Sequence, residues 1–184
     1  MDKILFINVC VRENSRTLAL AKKVIEKLDG EITELNLEKE NITPLNSKLL
    51  SKRDKLIERK MWDAPMFSYA RAFAEADKII IAAPFWDLGF PALLKIYLET
   101  IMVSGITFRY TNGIPGGLCK AKSLKYITTS GGEITDDFGY TYIKSLANNF
   151  FGIADVSCLR AEKLDVNGIS SEELFEKADI QNIK

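Results

Sequence analysis

Lys78–Tyr110 reads KIIIAAPFWDLGFPALLKIYLETIMVSGITFRY. Ile79-Ile80-Ile81-Ala82-Ala83 is a short apolar run without alternation, the pattern of a strand buried on both faces in a parallel sheet. Pro84 has no N–H to give a ladder and ends it. Phe85, Trp86 and Phe90 flank Asp87-Leu88-Gly89, and Pro91 stands where a helix should begin, its φ already helical. Leu93, Leu94, Tyr97, Leu98, Ile101 and Met102 then line one broad helical face, and Ala92, Ile96 and Val103 make the segment apolar nearly all round. The stretch therefore predicts strand, aromatic loop, helix. In open α/β sheets ligands bind beyond the carboxyl ends of such strands, so the loop is a candidate platform for a flat ligand.

Outward from this stretch the pattern repeats. Ile4–Val9 is a second continuous apolar run. A loop, Cys10 to Thr17, leads into a helical period from Leu18 to Leu28, which Asp29-Gly30 ends. Residues 32–37 alternate as an edge strand does. Two helices are expected within 47–60 and 66–76, and the 41–76 insertion is either a solvated surface helix segment or, being long for a crossover, a wall over the site. Gly105–Gly113 reads as an extended segment and turn. Residues 123–129 and 153–159 read as strands around a helix over 138–151, and a last helix is expected after Gly168. Five strands interleaved with helices predict one domain over 1–184, a three-layer α/β sandwich with a parallel sheet of order 2-1-3-4-5. The switch point then lies between the 10–17 and 84–90 loops.

The composition narrows the chemistry. Lys plus Arg number 25, Asp plus Glu number 25, and there is no histidine. The balanced charge gives no pull toward nucleic acid or an anionic membrane. Without histidine, Ser-His-Asp hydrolysis, Cys-His catalysis and most zinc chemistry lack their base or ligand, and no metal site is expected. Cys10, Cys119 and Cys158 form no C-x-x-C, and free thiols in a reducing cytoplasm are expected. No secretory leader pattern opens the chain, and no apolar run is long enough to span a bilayer.

Three loop tips carry the candidate site. The 10–17 loop lacks G-x-G-x-x-G and a Walker A lysine, yet Arg12, Ser15, Arg16 and Thr17 surround a helix start, where free N–H groups, hydroxyls and guanidinium groups suit one phosphate. Alternatively Ser15 is a plain N-cap and the arginines are solvated. Pro84, Phe85, Trp86, Asp87 and Leu88 offer an aromatic edge and backbone amides, against the alternative of core packing. Thr129, Ser130, Gly131 and Gly132 form a turn whose paired glycines permit close approach and positive φ. A phosphate cradle, an aromatic shelf and an amide-lined turn are what flavin mononucleotide (FMN) requires. The cofactor would supply the redox chemistry, so hydride transfer from a nicotinamide needs no side-chain base.

Ala83-Pro84-Phe85-Trp86-Asp87-Leu88, Pro91, Leu94-Lys95, Tyr97-Leu98, the Gly105–Tyr110 run ending T-F-R-Y and the Thr-Thr-Ser-Gly-Gly turn resemble the flavodoxin-like NAD(P)H oxidoreductases, the FMN-dependent NADH:quinone reductases and azoreductases. The resemblance covers roughly residues 3–165. It implies a flavodoxin-like sandwich and a homodimer with FMN near the subunit interface. It also implies two-electron ping-pong transfer from NAD(P)H through FMN to a quinone, azo or nitro acceptor. The three loops match the family's flavin loops, and Tyr110 matches an aromatic near the substrate pocket. Cys10 stands where serine is common, Trp86-Asp87 replaces a tyrosine-asparagine pair, and Ser130 stands where azoreductases often have arginine. Asp87 is expected to cap the turn or face solvent. The competing expectations are a flavodoxin-type carrier, which binds FMN without turning over NAD(P)H, and a flavin-free α/β regulatory domain.

Overall fold

The computed structural model of the chain describes residues 1–166 and 170–178. Its centre is a five-stranded parallel sheet of β1 (Lys3–Asn8), β2 (Glu31–Asn36), β3 (Lys78–Ala82), β6 (Ser123–Thr129) and β7 (Asp155–Ala161), ordered β2-β1-β3-β6-β7. Taken in chain order these five strands give the expected 2-1-3-4-5. The Gly105–Gly113 excursion contributes a separate antiparallel hairpin, β4 (Phe108–Thr111) and β5 (Ile114–Gly117), which joins no other sheet.

Side-chain alternation in the central strands builds both faces at once. Leu5, Ile7 and Val9, with Ile79, Ile81 and Ala83, enter one core with α3 (Ser68–Glu75), α4 (Ala92–Ile101) and α5 (Phe138–Leu146). Ile4, Phe6, Ile80 and Ala82 enter the other, against α1 (Arg16–Ile25) and Phe175 of α6 (Ser171–Lys177). The unbroken apolar runs follow from this double burial, whereas β2, whose first four residues are exposed, is the edge.

Several boundaries differ from expectation. Pro91 is the residue before the helix, with ψ 144°, and Ala92 is its first helical residue. The 138–151 helix is α5 followed by a π-type turn over Ala147–Phe151, ended by Gly152 at φ +76°. The last strand begins at Asp155, because Ile153 is buried in the turn that precedes it. The 66–76 helix starts as a 3-10 turn over Pro65–Phe67. Ser170 accepts from the Glu173 N–H at the start of α6, while Gly168 lies outside the described residues.

The hairpin is fixed at a backbone crossing. A Cβ on Gly117 would lie 2.1 Å from the Gly152 nitrogen and the Phe151 carbonyl carbon. Phe108 adds an edge-on contact to Phe150, with ring centroids 5.4 Å apart. Because main chain blocks the position, Gly117→Ala is expected to destabilise the fold by about 2–3 kcal/mol, read as a lowered urea midpoint with an unchanged m-value.

Candidate functional site

Three loops meet at the carboxyl edge because backbone pairing continues past the strand ends. Val9 N–H donates to the Ala82 carbonyl (2.9 Å), Ala83 N–H to Ile127 (3.0 Å) and Phe85 N–H to Thr129 (3.1 Å). Between them lies a cleft of about 220 Å³. Of the residues singled out in the sequence, Arg12, Ser15, Arg16, Thr17, Pro84, Phe85, Trp86, Thr129, Ser130 and Gly131 line it. Asp87, Leu88, Gly132 and Tyr110 do not. Nor does any residue of 41–76: that insertion packs through Ile42, Leu56, Ile57, Trp62 and Met66 onto the core beside α3 and α4. The surface-helix alternative holds: α2 (Ser47–Glu58) has no buried residue, and the insertion does not line the cleft.

Ser15 is the N-cap of α1, its Oγ accepting from Leu18 N–H at 3.2 Å. This leaves the N–H groups of Arg16 and Thr17 at the positive end of the helix without helical acceptors. The Thr17 and Thr129 hydroxyls share a 2.7 Å hydrogen bond. With Thr17 only 1% exposed, that bond ties the β1 loop to the end of β6. Arg16 is not free for a ligand. Its guanidinium donates to the Leu164 carbonyl and pairs with Asp165, both at 2.7 Å. Arg12 is exposed and makes no ion pair or hydrogen bond in the described structure.

Asp165 also lines the cleft. Its N–H donates to the Gly131 carbonyl, and its carboxylate occupies the space where a Cβ on Gly131 would sit. Neither Gly131 nor Gly132 has positive φ; the glycine here permits the approach of Asp165. Leu164 N–H donates to Ser130 and Lys163 N–H to Gly132, so the 163–165 loop straps the turn. Sequence patterns do not mark Asp165, because no local motif contains it. Its position beyond a strand's carboxyl end is the one available signal.

In the aromatic loop the left-handed residues are Asp87 (φ 50°) and Leu88 (φ 64°), not Gly89. Trp86 N–H donates to the Gly89 carbonyl (3.2 Å) and Gly89 N–H to Trp86 (2.8 Å), closing a two-residue turn. The N–H groups of Asp87 and Leu88 take no part in this pairing, and both side chains are exposed. Asp87 therefore faces solvent. Cys10 lies beneath, its Sγ–H directed at the Ala82 carbonyl at 3.7 Å. Burial pushes its thiol up, opposed by a hydrogen bond from Ser15, so it is no reactive thiolate. Tyr110 stands on the hairpin, 58% exposed and edge-on to Phe108.

This geometry can hold a phosphorylated planar ligand. Unspent amides and Arg12 lie at one end, and Phe85, Trp86 and a narrow glycine turn line the rest. A family model described as flavodoxin-like fold matches residues 2–182. The chain belongs to this flavodoxin-like family. An FMN-dependent NADH:quinone oxidoreductase of Clostridium perfringens is 36% identical over 187 residues, covering 96% of this chain and 94% of its own length. A second enzyme of that description, from Clostridium acetobutylicum, is 39% identical over 189 residues, with 95% and 93% covered. An azoreductase structure from Bacillus anthracis superimposes with TM-score 0.85 at 23% identity, covering 100% of this chain and 97% of its own. At that identity the likeness confirms the flavodoxin-like fold.

The Thr17–Thr129 bond yields a prediction. Thr17→Val keeps the shape but leaves a buried hydroxyl at Thr129 without its partner. A loss of about 1–2 kcal/mol is expected by chemical denaturation.

Proposed function

We propose that this flavodoxin-like protein is an FMN-dependent NAD(P)H oxidoreductase that delivers two electrons, in ping-pong fashion, to a quinone, azo or nitro acceptor. The observation that carries the reading is the cleft itself: free α1 amides and an unpaired Arg12 share one space with Phe85, Trp86 and the Thr129–Gly131 turn. The names of the curated relatives support an enzyme rather than an electron carrier and name NADH as the donor.

The phosphate end is assigned to the Arg16 and Thr17 amides, the Ser15 hydroxyl and Arg12. The ring is assigned to Pro84, Phe85 and Trp86 on one side, with the exposed Asp87 and Leu88 turn at its outer edge, and to Thr129, Ser130 and Gly131 on the other. The chemistry that bound FMN supplies is hydride acceptance from reduced nicotinamide and two-electron delivery to the acceptor. The protein's part is to orient the two substrates and exclude competing reactions. The lack of any histidine is consistent with that division.

The dimer belongs to the same proposal. Tyr110 and Ile114 are exposed on the hairpin, at 58% and 69%. Phe138, Tyr142 and Phe90 line an apolar recess of about 260 Å³ nearby in sequence order to the site loops. Apolar surface of this kind suits a two-fold interface, through which Tyr110 would serve the partner's acceptor pocket. A cytoplasmic setting fits the three unpaired cysteines. Among the described residues no helix is long and apolar enough to cross a membrane.

Purified protein reconstituted with FMN is expected to show oxidised-flavin bands that bleach under anaerobic NADH, and to turn over NADH with menadione. Flavin left oxidised by NADH and NADPH would sink the oxidoreductase reading in favour of a carrier. Arg12→Ala is expected to weaken FMN binding about tenfold while leaving riboflavin, which lacks the phosphate, unchanged in a fluorescence titration.

A further inference from the structure

The Trp86–Gly89 turn holds two adjacent non-glycine residues in the left-handed region. Each such residue is sterically disfavoured, and a conformation of this kind persists only where its surroundings over-determine it. The two bonds between Trp86 and Gly89 close the turn but do not attach it to the fold. What attaches it is the start of α5. Phe138 N–H, at the first helical position, donates to the Leu88 carbonyl at 3.1 Å. The next residue, Gly139, lies flat against the turn: a Cβ there would sit 3.2 Å from the Gly89 carbonyl carbon and 3.3 Å from its oxygen.

The helix start is itself anchored. Asp137 caps α5, accepting from Tyr140 N–H at 2.8 Å. Its other oxygen pairs with Arg160 of β7 at 2.9 Å, with the Asp137 side chain only 10% exposed. The far side of Gly139 is closed too, because the same Cβ would lie 3.1 Å from the Tyr126 hydroxyl. Tyr126 is 1% exposed and stacked on Tyr140 at 6.2 Å. A side chain at position 139 therefore presses on the turn backbone as well as on the Tyr126 hydroxyl.

We propose that Phe138 and Gly139 are positioning residues for the Trp86–Gly89 turn, fixing through one hydrogen bond and one bare Cα the backbone against which the flavin ring lies. For its ligand this inference rests on the flavin reading above; for the turn it rests on contacts alone. Two variants separate the two contacts. Gly139→Ala fills the close approach. Phe138→Pro removes the donor to Leu88 at the one helical position where proline is well tolerated, and Phe138→Ala, which loses the same ring from the apolar recess but keeps the N–H, is its control.

The experiment compares amide spectra of both variants with the wild-type apo-protein by nuclear magnetic resonance, then titrates each with FMN and with riboflavin. Both variants are expected to move the resonances of residues 86–89 while leaving Arg16 and Thr17 in place. Both are expected to weaken FMN and riboflavin by the same factor, about tenfold, because the turn does not touch the phosphate. Unmoved 86–89 resonances overturn the proposal, whatever the flavin result. Moved resonances with unchanged flavin affinity overturn the positioning role. A wild-type protein that binds no flavin overturns the functional reading, and the apo spectra then still decide whether α5 holds the turn.

Discussion

The site depends on backbone pairing carried past the ends of β1 and β3. A parallel strand normally hands over to a loop at its last ladder bond. Here Val9, Ala83 and Phe85 each make one further bond to the neighbouring strand. Those bonds bring the three loops to one edge, at the point where the chain's windings diverge. Side-chain ties are then layered on this frame. The buried Thr17–Thr129 pair joins the outer two loops, and the 163–165 strap closes over the turn that follows β6.

The local chemistry sorts into groups spent on structure and groups left over. Ser15 accepts a helical N–H, Arg16 is committed to the 164–165 loop, and the threonine hydroxyls bond to each other. The α1 amides, Arg12 and the amides of Asp87 and Leu88 have no such engagement. A surface ion pair such as Arg16–Asp165, with Asp165 68% exposed, contributes little stability. Its effect is one of placement, since it sets a carboxylate and a guanidinium side by side at the rim of the cleft, next to the start of α1.

The fold was legible because its signals are local. Runs such as Ile79–Ala83 and Ile4–Val9 read as doubly buried strands, and each proves to feed both cores. The loops at the carboxyl ends followed from the order of elements. What stayed hidden depends on long-range contacts. Nothing near Arg16 in the sequence announces Asp165, and Gly131 reads as a turn former although its use is to admit that carboxylate. Gly89 draws attention in the aromatic loop, yet the left-handed positions fall on Asp87 and Leu88, and the glycine that lies against the turn is Gly139, 50 residues later. The 41–76 insertion has the length of a lid, and only its packing shows otherwise.

The Arg16 tie has a consequence for the order of events during synthesis. Its carbonyl partner, Leu164, lies 148 residues downstream, and Thr17 waits for Thr129, 112 residues on. A chain emerging from its N-terminus completes the helix end at residue 16 early and the residues that enclose it only after β7. The cleft therefore closes only after the sheet has been assembled. A ligand that needs all three loops therefore meets them together only once β6 and β7 are in place.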